Sequence, residues 1–196
     1  AYNGETIEIP EALSTGQDIA IIGKPGIGKT FALSYVAARV AQKHSFAKQL
    51  ANLVPIFIHV GDITIDKLSI PENIFEGTHE KFSPVVESQL LTFYEKTLVS
   101  GSAIIFLDGL DELPAKEQLP IVEFIDSLKQ RYPLNQLVTT GDIRNLSWTE
   151  KLNIVPVTLA SWNNQEVTTF VMKWQNLWTT HVLGETINAE NNFDSE

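Results

Sequence analysis

Gly23-Lys24-Pro25-Gly26-Ile27-Gly28-Lys29-Thr30 decides how this chain is read. The pattern G-x-x-x-x-G-K-T puts each residue type where a bound polyphosphate needs it. The glycines let the backbone curl until several N–H groups converge on phosphate oxygens. Lys29 brings a mobile positive charge to the β- and γ-phosphates, and the Thr30 hydroxyl can ligate Mg2+. A helix starting here aims the positive end of its dipole at the anion. The flanks supply the required setting. Asp18-Ile19-Ala20-Ile21-Ile22 is a short apolar, β-branched run that reads as a buried strand. After the loop, Leu33, Val36, Ala37 and Val40 fall at helical spacing.

Working outward, apolar runs alternate with helical patterns, which predicts an α/β fold with a parallel sheet covered by helices. We expect strands over 18–22, 54–60, 103–107, 136–140 and 154–159, and a first helix over 29–43. Pro55, near the start of the second strand, suits a sheet edge. Residues 61–82 are turn-rich and read as an irregular loop with one short helix. Ser83-Pro84 opens a helix as N-cap and first-turn proline. Val86, Leu90, Phe93 and Leu98 are expected on its buried face, and Gly101 ends it. A helix carrying Val122, Ile125 and Leu128 follows and stops near Tyr132-Pro133. Asn163 and Glu166 form a capping-box signal for the last helix. Its apolar stripe of Val167, Phe170, Val171, Trp174, Leu177 and Trp178 is expected to pack as ordinary core, the alternative being contact with a neighbouring domain.

The apolar run Ala103-Ile104-Ile105-Phe106-Leu107 ends in Asp108-Gly109-Leu110-Asp111-Glu112. Ligands of open α/β sheets bind at the carboxyl ends of strands. A carboxylate at that point, Asp108, can hold Mg2+ through its water shell, opposite Thr30. Asp111 and Glu112 are candidates for orienting the attacking water, with Lys29 completing the catalytic set. The alternative for both carboxylates is that they cap the next helix.

The run Ile105-Phe106-Leu107-Asp108-Gly109-Leu110-Asp111-Glu112 resembles the extended Walker B motif of NACHT NTPases, members of the signal-transduction ATPases with numerous domains (STAND). In that family a small residue follows the metal-binding Asp, and further acidic residues come shortly after. The loop at 23–30 looks like the family's form of Walker A. Weaker similarity covers Val54-Pro55-Ile56-Phe57-Ile58 and Val157-Thr158-Leu159-Ala160-Ser161-Trp162, so that the resemblance runs from about residue 17 to 178. It implies a three-layer P-loop NTPase fold with a five-stranded parallel sheet in the order 5-1-4-3-2. It also implies an ATP-binding, slowly hydrolysing, Mg2+-dependent switch, with dATP or ADP as other ligands. Flanking sensor and effector domains and an ATP-bound homo-oligomer come with the same resemblance. One departure is visible. The family's fourth strand ends in Thr/Ser followed at once by Arg, a sensor of the γ-phosphate. Here Val138-Thr139-Thr140-Gly141-Asp142-Ile143-Arg144 offers Thr140 for the hydroxyl and Arg144 several residues late, so Arg144 is either a sensor or half of a surface salt bridge.

Composition sets bounds on the rest. The chain has 196 residues, 43% hydrophobic and 19% charged, which suits one α/β domain with a sizeable core. We divide it into a lead-in at 1–16, the NACHT-like domain at 17–183 and a flexible acidic tail or linker at 184–196. Ile7-Glu8-Ile9-Pro10 in the lead-in is a candidate neighbour of the adenine. The chain starts at Ala1, and we expect it to be a piece of a longer protein. No apolar run approaches the roughly 20 residues needed to cross a bilayer. There are no cysteines, which excludes disulfides and thiolate chemistry and fits a cytoplasmic protein. The net charge of −10 argues against a nucleic-acid surface. His44, His59, His79 and His181 have no metal-ligand spacing and read as ordinary solvated or hydrogen-bonded histidines. The chain carries no Asn/Thr-Lys-x-Asp guanine-reading motif, which favours an adenine nucleotide. Two other functions compete with the switch. A small-molecule P-loop kinase usually needs an arginine-rich lid, and only Arg39, Arg131 and Arg144 occur. A nucleotide-binding scaffold without turnover is the third reading.

Overall fold

β3 (Ala103–Asp108) and β4 (Gln136–Gly141) are buried at every position, as strands covered on both faces should be. In the computed structural model, which describes residues 6–63, 70–76 and 83–182, they are interior strands of a five-stranded sheet. β1 (Ile19–Ile22) lies between β4 and β5 (Val155–Thr158), and β2 (Val54–His59) pairs with β3. Every pairing is parallel. The order β2-β3-β4-β1-β5 is the expected 5-1-4-3-2 read from the opposite edge.

Alternation along the strands divides the core between two layers. Ala20, Ile22, Ile105, Leu107 and Leu137 face one cluster, closed by Ile121, Val122, Ile125 and Leu128 of α5 (Ala115–Arg131). Ile19, Ile21, Ile104, Phe106 and Val138 face the other, closed by Leu33, Val36, Ala37 and Val40 of α2 (Lys29–Ala41). Each Val, Leu, Ile or Phe among them contributes about 1.5–3 kcal/mol by leaving water. The result is the three-layer α/β arrangement expected of the chain. α1 (Ile9–Leu13) joins the second cluster through buried Leu13. The Gln136 side chain ties that region down, donating to the carbonyls of Leu13 and Gln17 at 2.8 Å each.

Both edge strands carry proline at their second position, Pro55 in β2 and Pro156 in β5. The Val54 N–H donates inward to the Ser102 carbonyl, and the Val155 N–H donates inward to the Asp18 carbonyl. Amides alternate sides along a strand, so each proline nitrogen faces away from the sheet, where its missing hydrogen breaks no ladder bond.

α4 (Pro84–Ser100) begins and ends where expected, with Gly101 in the left-handed region at φ 67°. Its buried face differs from the expected one. Val86 and Phe93 are exposed, whereas Glu87, Leu90, Leu91, Tyr94, Thr97 and Leu98 are the residues turned inward. The inward stripe is rotated by about one residue from the most apolar one. Residues 61–82 yield a short turn at Val60–Asp62 and α3 (Ile70–Glu76). Residues 64–69 and 77–82 of that stretch and the expected tail at 184–196 lie outside the described residues.

The chain forms two compact units, Ala1–Leu159 and Ala160–Glu196. In the second, α7 (Asn164–His181) starts at the expected capping box. The Glu166 N–H donates to Asn163 Oδ1 at 2.9 Å, and the Asn163 N–H donates to Glu166 Oε2 at 2.8 Å. The expectation that its apolar stripe packs as core is not met. No residue of α7 is buried, and Val167, Phe170, Val171, Trp174, Leu177 and Trp178 are all exposed. One helix cannot bury its own apolar face, because burial needs a second layer. The aromatic side chains touch one another instead, Trp162 against Phe170 at 5.0 Å and Trp174 against Trp178 at 6.4 Å between ring centres. Among the described residues no helix is long and apolar enough to cross a membrane.

Candidate nucleotide site

The loop at 23–30 leaves the carboxyl end of β1 and runs straight into α2. Its first residue is still held by the sheet, since the Gly23 N–H donates to the Gly141 carbonyl at 3.1 Å. Gly28 is the N-cap of α2 at φ 97°, a conformation that favours glycine. No side chain caps that helix end, so the first-turn amides are left for a ligand. A cavity of about 580 Å3 opens here, lined by residues that include Gly26, Lys29, Thr30, Phe31, Asp111 and Glu112.

Lys29 is buried in this wall, at 6% exposure. Its ammonium donates to the carbonyls of Gly23 at 2.8 Å and Lys24 at 3.1 Å, and it pairs with Asp111 Oδ2 at 3.1 Å. Three acceptors thus surround a group with three hydrogens. The loop backbone and one carboxylate together hold the charge where an incoming phosphate would meet it.

Asp108 ends β3 at the same edge of the sheet, one strand away from β1 across β4. It is buried, and its Oδ1 accepts from the Thr140 hydroxyl at 3.1 Å. The same Thr140 oxygen accepts from the Gly109 N–H at 2.9 Å. Thr140 therefore positions both the carboxylate and the turn that follows it. That turn is forced by Gly109, at φ 90°. A Cβ there would lie 2.5 Å from His59 Nε2, so the position needs a small residue for steric reasons as well as for its backbone.

The turn Leu110–Glu112 gives its two carboxylates different surroundings. Leu110 is pinned in the core. Asp111 is directed inward to Lys29, its side chain 8% exposed, while Glu112 stays 62% exposed. Glu112 Oε2 lies 3.6 Å from His59 Nε2. Since His59 Nδ1 accepts from the Gly61 N–H at 3.2 Å, the neutral ring carries its proton on Nε2, facing Glu112. Pro114 is the N-cap of α5, and its side chain makes no capping bond. His59 was the residue that spacing could not single out. It ends β2 in register with Asp108, and that pairing exists only in the folded sheet.

Arg144 sits apart from this group. Its guanidinium binds Asp142, with Nε at 2.9 and 3.0 Å from the two carboxylate oxygens and Nη2 in contact with Oδ2. The Arg144 N–H also donates to Asp142 Oδ1 at 2.8 Å. Hydrogen bonds from Arg144 hold the Asp142 carboxyl down at about 2, and the same contact raises the Arg144 pKa.

Family comparison covers most of the chain. The model of the NACHT domain matches residues 17–177. The chain belongs to the NACHT family. No curated protein was found to match the sequence. Among solved structures, this NACHT chain is similar to a crystal structure of a DNA replication initiation factor. The identity is 13% and the TM-score 0.52, over 87% of this chain and 50% of that one. It is also similar to the ORC1 protein of Aeropyrum pernix in complex with DNA, at 17% identity and TM-score 0.49, over 84% and 46%. The chain spans about half the length of those structures, and the first likeness shows the fold alone. NACHT membership makes this a P-loop NTPase domain of nucleotide-binding type. The departure at the end of β4 now has a physical account. Where the resemblance leads to the expectation of arginine after Thr140, this chain has Gly141, and a Cβ there would meet Trp148 Cζ2 at 2.7 Å. The buried Trp148 ring takes the room such a side chain needs.

The family implies Mg2+ alongside the nucleotide, and the donors present fit it. Thr30 and Asp108 offer hard oxygen ligands, and Mg2+ takes few protein ligands and keeps waters and phosphate oxygens. Among the described residues no cluster of three or more acidic, histidine or cysteine ligands is found.

Proposed function

We propose that this NACHT domain binds ATP with Mg2+ at residues 23–30, Asp108 and Thr140, and hydrolyses it slowly as a switch within a larger cytoplasmic STAND protein. The observation that carries the reading is the meeting of Lys29 and Asp111 at 3.1 Å in the wall of one cavity, with Asp108 held at the same sheet edge. Bound Mg2+ would neutralise developing negative charge on the phosphates. The loop amides and Lys29 orient the phosphate chain. Asp111 releases Lys29 to the phosphate and, with Glu112 at the cavity lip, orients and polarises the attacking water. Exchange of nucleotide changes how flanking domains pack and allows the ATP state to self-associate.

The test is a thermal melt with and without Mg-ATP. A ligand at about 1,000 times its Kd stabilises by about 4 kcal/mol. Lys29→Ala should remove the shift, and an unchanged wild-type melt in millimolar ATP would overturn the reading. Asp111→Asn should keep binding and lose phosphate release in the absence of any acceptor, which also separates hydrolysis from a kinase. One observation favours binding without turnover: Arg144 is committed to Asp142 rather than to the cavity. Single-turnover hydrolysis by the full-length protein separates that scaffold from the switch.

A further inference from the structure

Phe31 follows the loop directly and is 73% exposed. Lone exposed apolar residues are common on protein surfaces and call for no explanation. This one is neither isolated nor remote. It lines the cavity beside Lys29, Thr30 and Ser34. Its ring stacks on Tyr35 one turn along α2, with centres 6.2 Å apart and planes 20° apart. Arg39, a further turn on, places its guanidinium 4.9 Å over the Tyr35 ring. Phe31, Tyr35 and Arg39 therefore form a ladder at i, i+4 and i+8 on one face of α2. The opposite face is the one that buries Leu33, Val36, Ala37 and Val40. The ladder starts at the phosphate end of the helix and leads away from it.

We propose that Phe31, backed by Tyr35, is the surface on which the base of the bound nucleotide stacks. The inference rests on the phosphate-site reading above and adds to it the residue that recognises the nucleoside. The phosphate chain is anchored at Lys29 and Thr30, so whatever is attached to it leaves the loop past the next cavity residues, Phe31 and Ser34. A flat π-face awaits it there. Stacking is tolerant of base identity but needs a base, so it separates a nucleotide from a bare polyphosphate. Contacts within the ladder restrict the ring before the ligand arrives, which lowers the ordering cost of binding. Tyr35 and Arg39 act as positioning residues, holding Phe31 without touching the ligand.

The test uses the full chain with Mg2+ and three probes: ATP, inorganic tripolyphosphate and 2-aminopurine riboside triphosphate. Fluorescence of the last is quenched when its base stacks on an aromatic ring. The wild type should bind all three and quench the fluorophore. Phe31→Ala should leave the tripolyphosphate Kd unchanged, weaken ATP by about tenfold and abolish quenching in the saturated complex. Phe31→Trp should restore both. The side chain is largely exposed, so none of these variants endangers the fold, and thermal melts check that. If Phe31→Ala binds ATP within twofold of wild type and quenches fully, the base lies elsewhere and this proposal falls while the phosphate site stands. If wild type binds neither ATP nor tripolyphosphate, both readings fall together.

Discussion

The cavity end of the first unit and the apolar face of the second make opposite use of their residues. Around Lys29, Asp108 and Thr140, polar groups are drawn out of water and each is answered by a named partner. Along α7, large apolar side chains are exposed, and aromatic rings among them lie against one another. The first region is assembled within its own unit, because its elements come from neighbouring strands whose carboxyl ends lie side by side. The second leaves its apolar face exposed. Period-3.6 patterning states which face of a helix is apolar, and it says nothing of what covers that face.

That contrast can be broken by mutation. Phe106, fully buried in β3, should cost about 3–5 kcal/mol when cut to alanine, read from denaturant midpoints. A loss under about 1 kcal/mol would mean the sheet core is not packed as described. Gly109→Ala imposes both a left-handed backbone and contact with the His59 ring, and should cost about 1–2 kcal/mol. Adding His59→Ala should recover part of that loss, since residues in contact couple. An additive double mutant would separate the two. Trp174→Ala in the α7 stripe should change stability by no more than about 0.5 kcal/mol in this chain, which sets it against Phe106. A loss of several kcal/mol would show that the face is covered in solution.

The smallest effect is a local titration. Asp142, with its folded pKa depressed from 3.8 to about 2, contributes stability that is fully present above the ordinary value. That contribution is lost as pH falls from there through about 2. Arg144→Ala should raise the carboxyl part of the way toward the ordinary range, since the N–H of residue 144 still donates to it, as followed by the NMR shift of its side-chain carbon. A midpoint still near 2 in the variant would show that the guanidinium is not the main cause.

Much of the fold was legible because its signals are local. The run at 103–107, the glycine loop and the Asn163–Glu166 capping box each specify a conformation within a few residues, and each appears within a residue or two of its expected place. The site residues proposed from the two motifs converge for a related reason, as both motifs sit at carboxyl ends of parallel strands. What stayed hidden depends on pairing across the sheet. His59 meets Gly109 and Glu112 only because β2 lies in register with β3. Trp148 excludes a side chain at Gly141 through a contact that no spacing rule encodes. On α4 the most apolar stripe and the buried one differ by a single position, which a weakly amphipathic helix cannot distinguish. On α7 the pattern was read correctly as apolar and wrongly as covered.

The outward prolines of β2 and β5 have a consequence for any assembly this domain enters. A strand approaching either flank finds an N–H donor missing one residue into the edge, so main-chain pairing between copies is weakened on both sides. Side chains and loops are thereby favoured over a shared ribbon as the means by which copies could meet.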